Sequence, residues 1–352
     1  MPQDQAKLDE FVGKMLNDMG AVATGAMVLI GDKLGLYKAL AEGGALAPAE
    51  LAARTGAAER YVREWLAAQA AAGYVQYRPE TGSYAMTTEQ ALVLADDASP
   101  AFMAGGFEVL ASMFKDEPKI SEAFRSGRGV GWHEHSPCLF RGIERFFRTG
   151  YAVHLVQEWL PALAGVPGKL VRGAKVADVG CGHGASTIIM ARAFPNSSFT
   201  GFDSHGPSVE RARVAAREAG VEQNCRFAVA DAKSYPGKDY DLVAVFDCLH
   251  DMGDPTGAAK HVRQSLGADG TWLIVEPYAN DTVEGNLNPV GRIYYAASTM
   301  LCVPASLSQE VGLALGAQAG EARLREVVMA GGFTRFRRAT ATAFNLVLEA
   351  RP

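Results

Sequence analysis

One short stretch carries residue types that could bind a polar, ribose-bearing ligand. Residues 175–187 read KVADVGCGHGAST, and Asp178 lies near the end of the apolar run. The glycines that follow at alternate positions are Gly180, Gly182 and Gly184. Glycine adopts positive φ readily and lets a ligand lie against bare backbone, and the free N–H groups at a helix start favour negative charge. The stretch therefore predicts a strand, a glycine turn and a helix N-terminus that form a binding site.

Three further acids follow predicted strands. SFTGFD, CRFAVAD and DLVAVFD end in Asp203, Asp231 and Asp247. The carboxyl ends of parallel strands meet at one edge of a sheet, where such sheets bind ligands. Asp203 lies 23 residues after Gly180, and an acid near that spacing accepts the hydroxyls of a ribose. A helix cap is the alternative for Asp203, but it leaves the spacing unexplained.

The elements that must position these acids alternate between strand and helix. Five strands within 175–277, separated by helical runs, predict a doubly wound, mostly parallel sheet. The end of the chain predicts two strands, at about 334–340 and 344–350, with little between them. We therefore expect an α/β fold with a seven-stranded, Rossmann-like sheet whose last strand is antiparallel. A mainly helical N-terminal domain precedes it.

Residues 46–95 have the pattern of a winged helix. Two helical runs are followed by two short alternating runs around the turn signal at 79–82. This pattern predicts either DNA binding or a role in dimerisation and substrate framing. Phosphate contacts need clustered Lys or Arg, but residues 33–95 contain six basic residues and six glutamates. The second helix offers only Arg60 and Arg63, so dimerisation is favoured and nucleic acid is not an expected partner.

Composition bounds the remaining possibilities. The 352 residues carry a net charge of -5 and are 48% hydrophobic, which predicts about two globular domains without a strongly basic face. The polar start lacks a signal core, and no apolar run is long enough to span a bilayer, so no membrane is expected. Five cysteines without regular spacing favour a reduced cytoplasm. Apolar residues at helical spacing within 8–40 need a partner surface, which predicts a homodimer.

Two nucleotide cofactors fit the glycine turn. Gly180, Gly182 and Ala185 satisfy the loose dinucleotide fingerprint G-x-G-x-x-G/A, so NAD has to be considered. Three features favour S-adenosylmethionine. Asp178 stands two residues before the first glycine, and Asp231 follows the third strand, where an adenine amino group can be held. The terminal hairpin also replaces the second mononucleotide-binding half that a dinucleotide needs.

With these motifs, segment 175–350 resembles the class I S-adenosylmethionine-dependent methyltransferases. DVGCGHG is similar to their first motif and FTGFD to their second, while VADA (229–232) and DLVAVFDCLHD resemble the next two. With its winged-helix part, the chain resembles small-molecule O-methyltransferases that dimerise through that domain. It also resembles a bacterial group often labelled only methyltransferase or regulator. The resemblance implies a dimerisation domain at 1–98, a helical linker and substrate lid at 99–172, and a cofactor-binding domain at 173–352.

The resemblance also implies a role for each matched position. The cofactor-binding positions are Asp178, Gly180, Gly182, Gly184, Asp203, Ser204, Asp231, Ala232, Phe246 and Asp247. The glycines would lie under the amino-acid part of the cofactor, with Asp178 near its amino group. Asp203 would accept the ribose hydroxyls, and Asp231 with the backbone of Ala232 would hold the adenine. Asp247 would face the methionyl part and the methyl group.

Methyl transfer to a hydroxyl needs a nucleophile about 3 Å from the methyl carbon, in line with the sulfur, and a base for its proton. In the O-methyltransferases that this chain resembles, a histidine after the fourth strand is that base, in a context like H-D-W-x-D. CLHDMGDP places His250 and Asp251 at the matching position, with Met252 in place of Trp. Because imidazole titrates near neutral pH, His250 is the expected general base. The alternative is a histidine that caps the strand or binds the cofactor.

Three segments, 126–140, 146–163 and 286–306, are expected to contribute to the substrate wall, and the alternatives are plain surface for the first and ordinary core or helix packing for the other two. The assigned residues are Trp132, Phe147, Tyr151, His154, Arg292 and Tyr295. Such an aromatic wall suits a flat or apolar acceptor. His133, His135 and Cys138 have metal-ligating side chains, but their spacing matches no structural zinc pattern, so no metal is expected.

The sequence as a whole predicts a cytoplasmic, homodimeric methyltransferase that uses S-adenosylmethionine on a small molecule, with a hydroxyl as the favoured acceptor group. Two alternatives remain open. One is a winged-helix transcriptional regulator that senses S-adenosylmethionine without turnover. The other is an NAD-dependent oxidoreductase.

Overall fold

The computed structural model describes residues 4–352, which divide into two compact units. One unit extends to Ala111 and includes Arg141–Thr149, and the other consists of Ser112–Phe140 and Gly150–Pro352. Helices α6 (Ala104–Ser126) and α7 (Cys138–His154) each contribute residues to both units. The three domains expected from the sequence stay a prediction.

The first unit contains a winged helix–turn–helix. Besides its parts of α6 and α7, the unit contains helices α1 (Gln5–Lys33), α2 (Leu36–Gly43), α3 (Pro48–Thr55), α4 (Glu59–Ala71) and α5 (Thr88–Leu94). Strands β1 (Gln76–Arg78) and β2 (Ser83–Ala85) pair antiparallel and form the wing. Trp65 on α4 fixes α1 beneath it, because its indole Nε1 donates to the carbonyl of Met27 at 2.9 Å. The predicted winged helix is confirmed.

The second unit is an α/β domain built on a seven-stranded sheet. Its strands are β3 (Lys175–Val179), β4 (Ser198–Asp203), β5 (Cys225–Val229), β6 (Tyr240–Phe246), β7 (Leu266–Pro277), β8 (Arg335–Ala341) and β9 (Asn345–Arg351). Its other helices are α8 (Val166–Arg172), α9 (Ala185–Ala193), α10 (Gly206–Ala219), α11 (Pro255–Ser265), α12 (Pro289–Ala297), α13 (Val303–Leu307) and α14 (Gly320–Ala330). Short 3₁₀ or π-helical turns lie at Trp132–Glu134, Leu155–Trp159, Leu249–Asp251, Glu284–Asn286 and Ser298–Cys302.

The strand order places a crevice at the centre of this sheet. The order is β5-β4-β3-β6-β7-β9-β8, with β3 to β7 parallel and β9 antiparallel to both of its neighbours. Strands β4 and β5 are added on one side of β3, and the chain then returns to place β6 on the other side of β3. Such a reversal opens a crevice at the carboxyl ends of β3 and β6, where doubly wound sheets bind ligands. The predicted Rossmann-like fold with an antiparallel last strand is confirmed.

The core of this sheet is apolar on both faces. Val243, Ile274 and Leu348 are fully buried on one face, and Ala244, Leu273 and Val347 are fully buried on the other. Parallel strands covered by helices on both faces bury their side chains in this way. The sheet is therefore a rigid base for side chains that project from its carboxyl edge.

Within residues 4–352, no single helix is long and apolar enough to cross a membrane. Helices α1 and α2, which meet at an angle of 72°, pass the same test of length and composition only when they are taken together.

Candidate active site

The glycine turn after β3 is held open by backbone geometry. Gly180, Gly182 and Gly184 all have positive φ, at 77°, 53° and 83°. A Cβ at Gly180 would lie 2.5 Å from the Cys248 sulfur, and one at Gly184 would lie 2.6 Å from the Phe227 ring. A Cβ at Gly182 would meet nothing within 4 Å. Two of the glycines are therefore required by packing, whereas the middle one faces open space in which a ligand can lie.

Asp178 lies buried at the base of this turn. Its Oδ2 accepts hydrogen bonds from Ser186 Oγ and Thr187 Oγ1, both at 2.6 Å, in the first turn of α9. Its Oδ1 is also buried and has no hydrogen-bond partner among residues 4–352. Burial raises the pKa of Asp178 to about 6. A buried carboxylate oxygen without a partner suits a cationic ligand group, and the predicted position next to an amino group fits this geometry.

Asp203 ties the end of β4 to the glycine turn. Its Oδ2 accepts from the Gly182 N–H at 2.9 Å and its Oδ1 from the His205 N–H at 2.8 Å. Burial raises the pKa of Asp203, and these two N–H groups oppose that rise. A carboxylate has about four acceptor positions, so Asp203 can still accept hydroxyls, as its predicted ribose role requires.

Asp247, directly after β6, adopts a strained backbone conformation. Its φ is 50°, in the left-handed region that residues with a Cβ rarely occupy. Two side chains hold it there: Tyr151 OH donates to Oδ2 at 3.0 Å, and Asn345 Nδ2 donates to Oδ1 at 2.9 Å. Burial, together with the nearby charge of Glu276, raises the pKa of Asp247 to about 8. Strained residues that are fixed from several sides concentrate at functional sites.

His250 lies buried between two carboxylates, with only 4% of its surface exposed. Its Nδ1 pairs with Glu276 Oε2, and its Nε2 lies 3.1 Å from Asp251 Oδ1. Glu276 is fixed in turn, because its Oε1 accepts from the Leu249 N–H at 2.9 Å. Burial alone would lower the pKa of His250, but the charges of Asp251 and Glu276 outweigh it and hold the pKa well above its ordinary value. The two carboxylates therefore favour the protonated form of the imidazole.

The remaining cofactor positions differ in exposure. Asp231 and Ser204 are exposed, and Ala232 is half-buried. Asp231 Oδ1 accepts from the Lys233 N–H at 2.8 Å, which leaves its other oxygen at the rim of the site. Phe246 is buried, and its ring lies 5.3 Å from the ring of Tyr151. Phe246 thus packs behind the tyrosine that holds Asp247.

The residues predicted for the substrate wall lie in several elements and differ in exposure. Trp132 is half-buried and contacts Phe140 edge to face at 5.8 Å. His154 pairs with Glu158 of its own helical run at 2.9 Å. Arg292 is exposed and Tyr295 half-buried on α12, whereas Phe147 belongs to the other unit. Tyr151 directly contacts a predicted cofactor-site carboxylate, that of Asp247.

Three residues that the sequence did not single out contribute to this edge of the sheet. Glu276 holds His250, and Asn345 holds Asp247 from the antiparallel strand β9. Tyr294, next to the predicted Tyr295, is buried, and the charge of Asp247 helps to raise its pKa. Glu276 could have been found as the fifth acid near a strand end. Asn345 had no sequence signal, because it enters through strand pairing.

One group of side chains also has the donor atoms that metals use. His250, Asp251 and Cys302 offer nitrogen, oxygen and sulfur atoms within 4.8 Å of one another. The candidates at positions 133, 135 and 138 are not part of a comparable group among residues 4–352. The expectation that the protein binds no metal stays a prediction.

Two family comparisons match consecutive parts of the chain. Residues 22–96 match the Rv2258c-like winged HTH domain, and residues 170–317 match a methyltransferase domain. The trans-aconitate 2-methyltransferase of Streptomyces coelicolor is 33% identical over 94 residues, which cover 26% of this chain and 31% of that protein. The ubiquinone biosynthesis O-methyltransferase of Bordetella avium is 30% identical over 132 residues, which cover 37% and 52%. The chain thus spans about half the length of these relatives or less.

Solved structures match over nearly the whole chain. A provisionally assigned O-methyltransferase from Nostoc punctiforme has a TM-score of 0.73 at 18% identity, covering 97% of this chain and 98% of that one. Human N-acetylserotonin methyltransferase, solved with S-adenosylmethionine, has a TM-score of 0.71 at 19% identity, covering 99% and 98%. Likeness at these identities shows the fold. The sequence-based recognition is confirmed: the chain carries a winged helix–turn–helix domain followed by a methyltransferase domain, with the fold of a methyltransferase solved with S-adenosylmethionine.

Proposed function

We propose that this protein transfers the methyl group of S-adenosylmethionine to a hydroxyl of a small molecule by in-line displacement. The observation that carries the proposal is the buried, unpartnered Oδ1 of Asp178 at the base of a glycine turn in which Gly182 faces open space. Bound S-adenosylmethionine supplies a methyl group on a positively charged sulfur. In the transfer, the acceptor oxygen bonds to the methyl carbon, the carbon–sulfur bond breaks, and its electron pair stays on sulfur. The protein must align the two partners and receive the hydroxyl proton.

Each acid along the sheet edge would bind a different part of the cofactor. Asp178 would hold the amino group, and Asp203 the ribose hydroxyls. Asp231, with the backbone of Ala232, would hold the adenine at the exposed rim. Asp247, fixed from two sides, would face the methionyl part and the methyl group. Ser204 and Phe246 complete the proposed set, the latter through packing.

His250 is the proposed general base, with Glu276 as the carboxylate that orients it. Such a carboxylate fixes the ring and stabilises the imidazolium that forms after proton transfer. Because Asp251 also contacts Nε2, this nitrogen must first lose its own proton before it can receive the proton of the hydroxyl. Catalysis through His250 should therefore require a higher pH than catalysis by a histidine of ordinary pKa.

The names of related proteins support a small acceptor. The curated relatives include methyltransferases for trans-aconitate and for ubiquinone biosynthesis, and the solved neighbours include a mitomycin 7-O-methyltransferase. Trp132, Tyr151 and Tyr295 offer flat apolar surface for such a compound. Phe147, His154 and Arg292 stay in the proposal as outer wall residues. The match to a methyltransferase domain disfavours the NAD-dependent oxidoreductase.

A regulatory role has less support. In helix α4, Arg60 pairs with Glu64 and Arg63 pairs with Glu59, so both arginines of the second winged-helix helix are neutralised by neighbours on the same helix. Phosphate contacts need basic groups that are available. The winged helix is therefore proposed for dimerisation, with no nucleic-acid partner. The five cysteines are all unpaired, which supports the proposed cytoplasmic location.

The glycine turn provides a matched pair of substitutions. We expect Gly184→Ala to lower the free energy of unfolding by about 1–3 kcal/mol, because it places a Cβ at positive φ against Phe227. Gly182→Ala should unfold closer to wild type but bind S-adenosylhomocysteine at least tenfold more weakly. Urea unfolding and calorimetry measure the two effects. Wild-type affinity in Gly182→Ala would contradict a cofactor at this turn.

Cofactor affinity should depend on the protonation of Asp178. Its pKa of about 6 means that its charge is lost as the pH falls through that value. An ammonium group prefers the charged carboxylate, so the dissociation constant of S-adenosylhomocysteine should rise by up to about tenfold per pH unit below pH 6. Calorimetry between pH 5 and pH 8 measures this dependence. Asp178→Asn should bind more weakly and with a flatter profile, and an unchanged profile in this variant would remove Asp178 from the site.

Turnover tests the reaction and its base together. S-adenosylhomocysteine formation is measured with a panel of hydroxylated aromatic compounds and hydroxy acids. With an accepted compound, His250→Gln should be about 100-fold slower or worse while binding S-adenosylhomocysteine normally. Asp251→Asn removes a charge that raises the pKa of His250, so the acid limb of its pH–rate profile should move to lower pH. Full turnover in His250→Gln would exclude the base role, and no turnover with any compound would count against the reaction.

Helix α1 supports the proposed homodimer. Its exposed apolar residues include Phe11, Leu16, Met19 and Val22, each more than half exposed. Because such a stripe is favourable only when covered, we expect a dimer by light scattering and a monomer after Leu16→Glu with Met19→Glu. Asn17→Glu, on the opposite face of the helix, is the control and should remain dimeric. A monomeric wild-type protein at micromolar concentration would contradict this proposal.

A further inference from the structure

A second imidazole–carboxylate pair lies near the His250 turn. His135 Nδ1 lies 3.2 Å from Asp116 Oδ2, and the two side chains are 0% and 2% exposed. Asp116 is on helix α6, and His135 directly follows the 3₁₀ turn Trp132–Glu134. Neither residue has a part in the proposed cofactor site. A fully buried pair of polar side chains that the proposed site does not use requires an explanation.

The surroundings of Asp116 fix the tautomer of His135. Asp116 also accepts from the Ser136 N–H and from Ser136 Oγ, both at 2.9 Å, and from Lys119 Nζ at 3.2 Å. Burial alone would raise the pKa of Asp116, but these hydrogen bonds outweigh it and lower the pKa. The carboxylate is therefore charged and can only accept. His135 must therefore be the donor in this hydrogen bond, with its proton on Nδ1.

The other nitrogen of His135 is an unoccupied acceptor. Burial and the charge of Lys119 lower the pKa of His135, and they outweigh the charges of Asp116 and Asp251, which act in the opposite direction. The ring is therefore neutral at pH 7. With the proton on Nδ1, Nε2 carries a bare lone pair. This Nε2 is buried, and no hydrogen-bond partner reaches it among residues 4–352. Buried acceptors normally have a donor, so the missing donor belongs to a water or a ligand.

The segment that carries His135 is fixed to the same helix as the His250 turn. The Val130 N–H donates to the Pro304 carbonyl at the start of α13 at 3.0 Å. Gly129 packs so closely on α13 that a Cβ would lie 2.1 Å from the Ser308 nitrogen. From the same helix, Ser306 Oγ donates to the Met252 carbonyl at 2.8 Å, just after the His250 turn. Helix α13 therefore holds both histidine segments in place.

Aromatic rings connect His135 with the cofactor end of the site. The Trp132 ring meets the His135 ring edge to face at 6.0 Å, and it meets Phe140 at 5.8 Å. Phe140 stacks on His205 at 4.6 Å, and the His205 N–H binds Asp203. A continuous aromatic wall thus runs from the proposed ribose-binding acid to His135. A flat acceptor bound along this wall would bring its polar groups to Nε2.

We propose that His135 is a substrate-binding residue whose Nε2 accepts a hydrogen bond from a second donor group of the methyl acceptor. This inference rests on the proposed function and deepens it. A single hydroxyl has one proton, which in the proposed reaction goes to His250, so it cannot also be donated to His135. The acceptor class is therefore an aromatic compound with at least two hydroxyl or N–H donors. Asp116 is the positioning residue that keeps Nε2 unprotonated.

Matched substrates test the proposal. S-adenosylhomocysteine formation is measured with dihydroxybenzenes and with the corresponding compounds in which one hydroxyl is replaced by hydrogen. Wild type should prefer the two-donor member of each pair by about tenfold or more in kcat/KM. His135→Phe should abolish that preference and change the one-donor rates by less than about twofold, and His135→Asn should keep part of it because its amide can still accept. His133→Phe, at an exposed neighbouring position, is the control. Equal losses with both members of a pair, or no loss, would overturn the proposal.

Nitrogen NMR tests His135 without turnover. In protein labelled with ¹⁵N-histidine and saturated with S-adenosylhomocysteine, His135 should be neutral at pH 7, with the proton on Nδ1. The spectrum of His135→Phe assigns the signal, and Asp116→Asn should weaken the preference for that tautomer. A ring that carries its proton on Nε2, or that is doubly protonated, would overturn the proposal. If wild type turns over no compound, the proposed function fails, but this measurement still decides the state of His135.

Discussion

Several acidic side chains lie close together at the carboxyl edge of one parallel sheet, and the rest of the site depends on how their charges are compensated. Asp178, Asp203, Asp247 and Glu276 follow or end neighbouring strands, and burial raises the pKa of the first three. Like charges in a poorly solvated region repel one another strongly. His250 is the cation that faces Glu276 directly. A positively charged ligand would relieve the remaining repulsion, so the edge is electrostatically complementary to a sulfonium and an ammonium group.

Each acid is held by a different part of the fold. Asp178 is held by the first turn of the helix that follows its own strand, and Asp203 by the backbone of the glycine turn. Asp247 depends on Tyr151, which precedes the sheet in sequence, and on Asn345 from the last strand. Support from independent elements fixes each carboxylate even where the backbone is strained, as at Asp247. Such preorganisation costs no rearrangement when charge moves during a reaction.

Local geometry explains what the sequence could predict. The glycine turn, its helix and Asp203 lie within about thirty residues, and their spacing follows from strand–turn–helix geometry. The mostly parallel sheet and its antiparallel last strand followed from the alternation of strands and helices and from the terminal hairpin. The protonation of His250 could not be predicted, because it depends on Glu276 in another strand. The contact of Asn345 with Asp247 depends on the register of β9 with β7, which places Asn345 opposite Pro277. The wall residues were the least predictable, since side chains at helical spacing such as His154 have partners within their own helix.

The position of β9 has a consequence for the synthesis of the protein on the ribosome. This strand inserts between β7 and β8, and β8 pairs with no other strand among those described. Both strands can therefore join the sheet only after the chain has emerged beyond Arg351, since pairings distant in sequence form late. Until then Asp247 lacks Asn345, and the sheet ends at an unpaired β7. A nascent chain thus contains the complete glycine turn well before Asn345 can hold Asp247 in place.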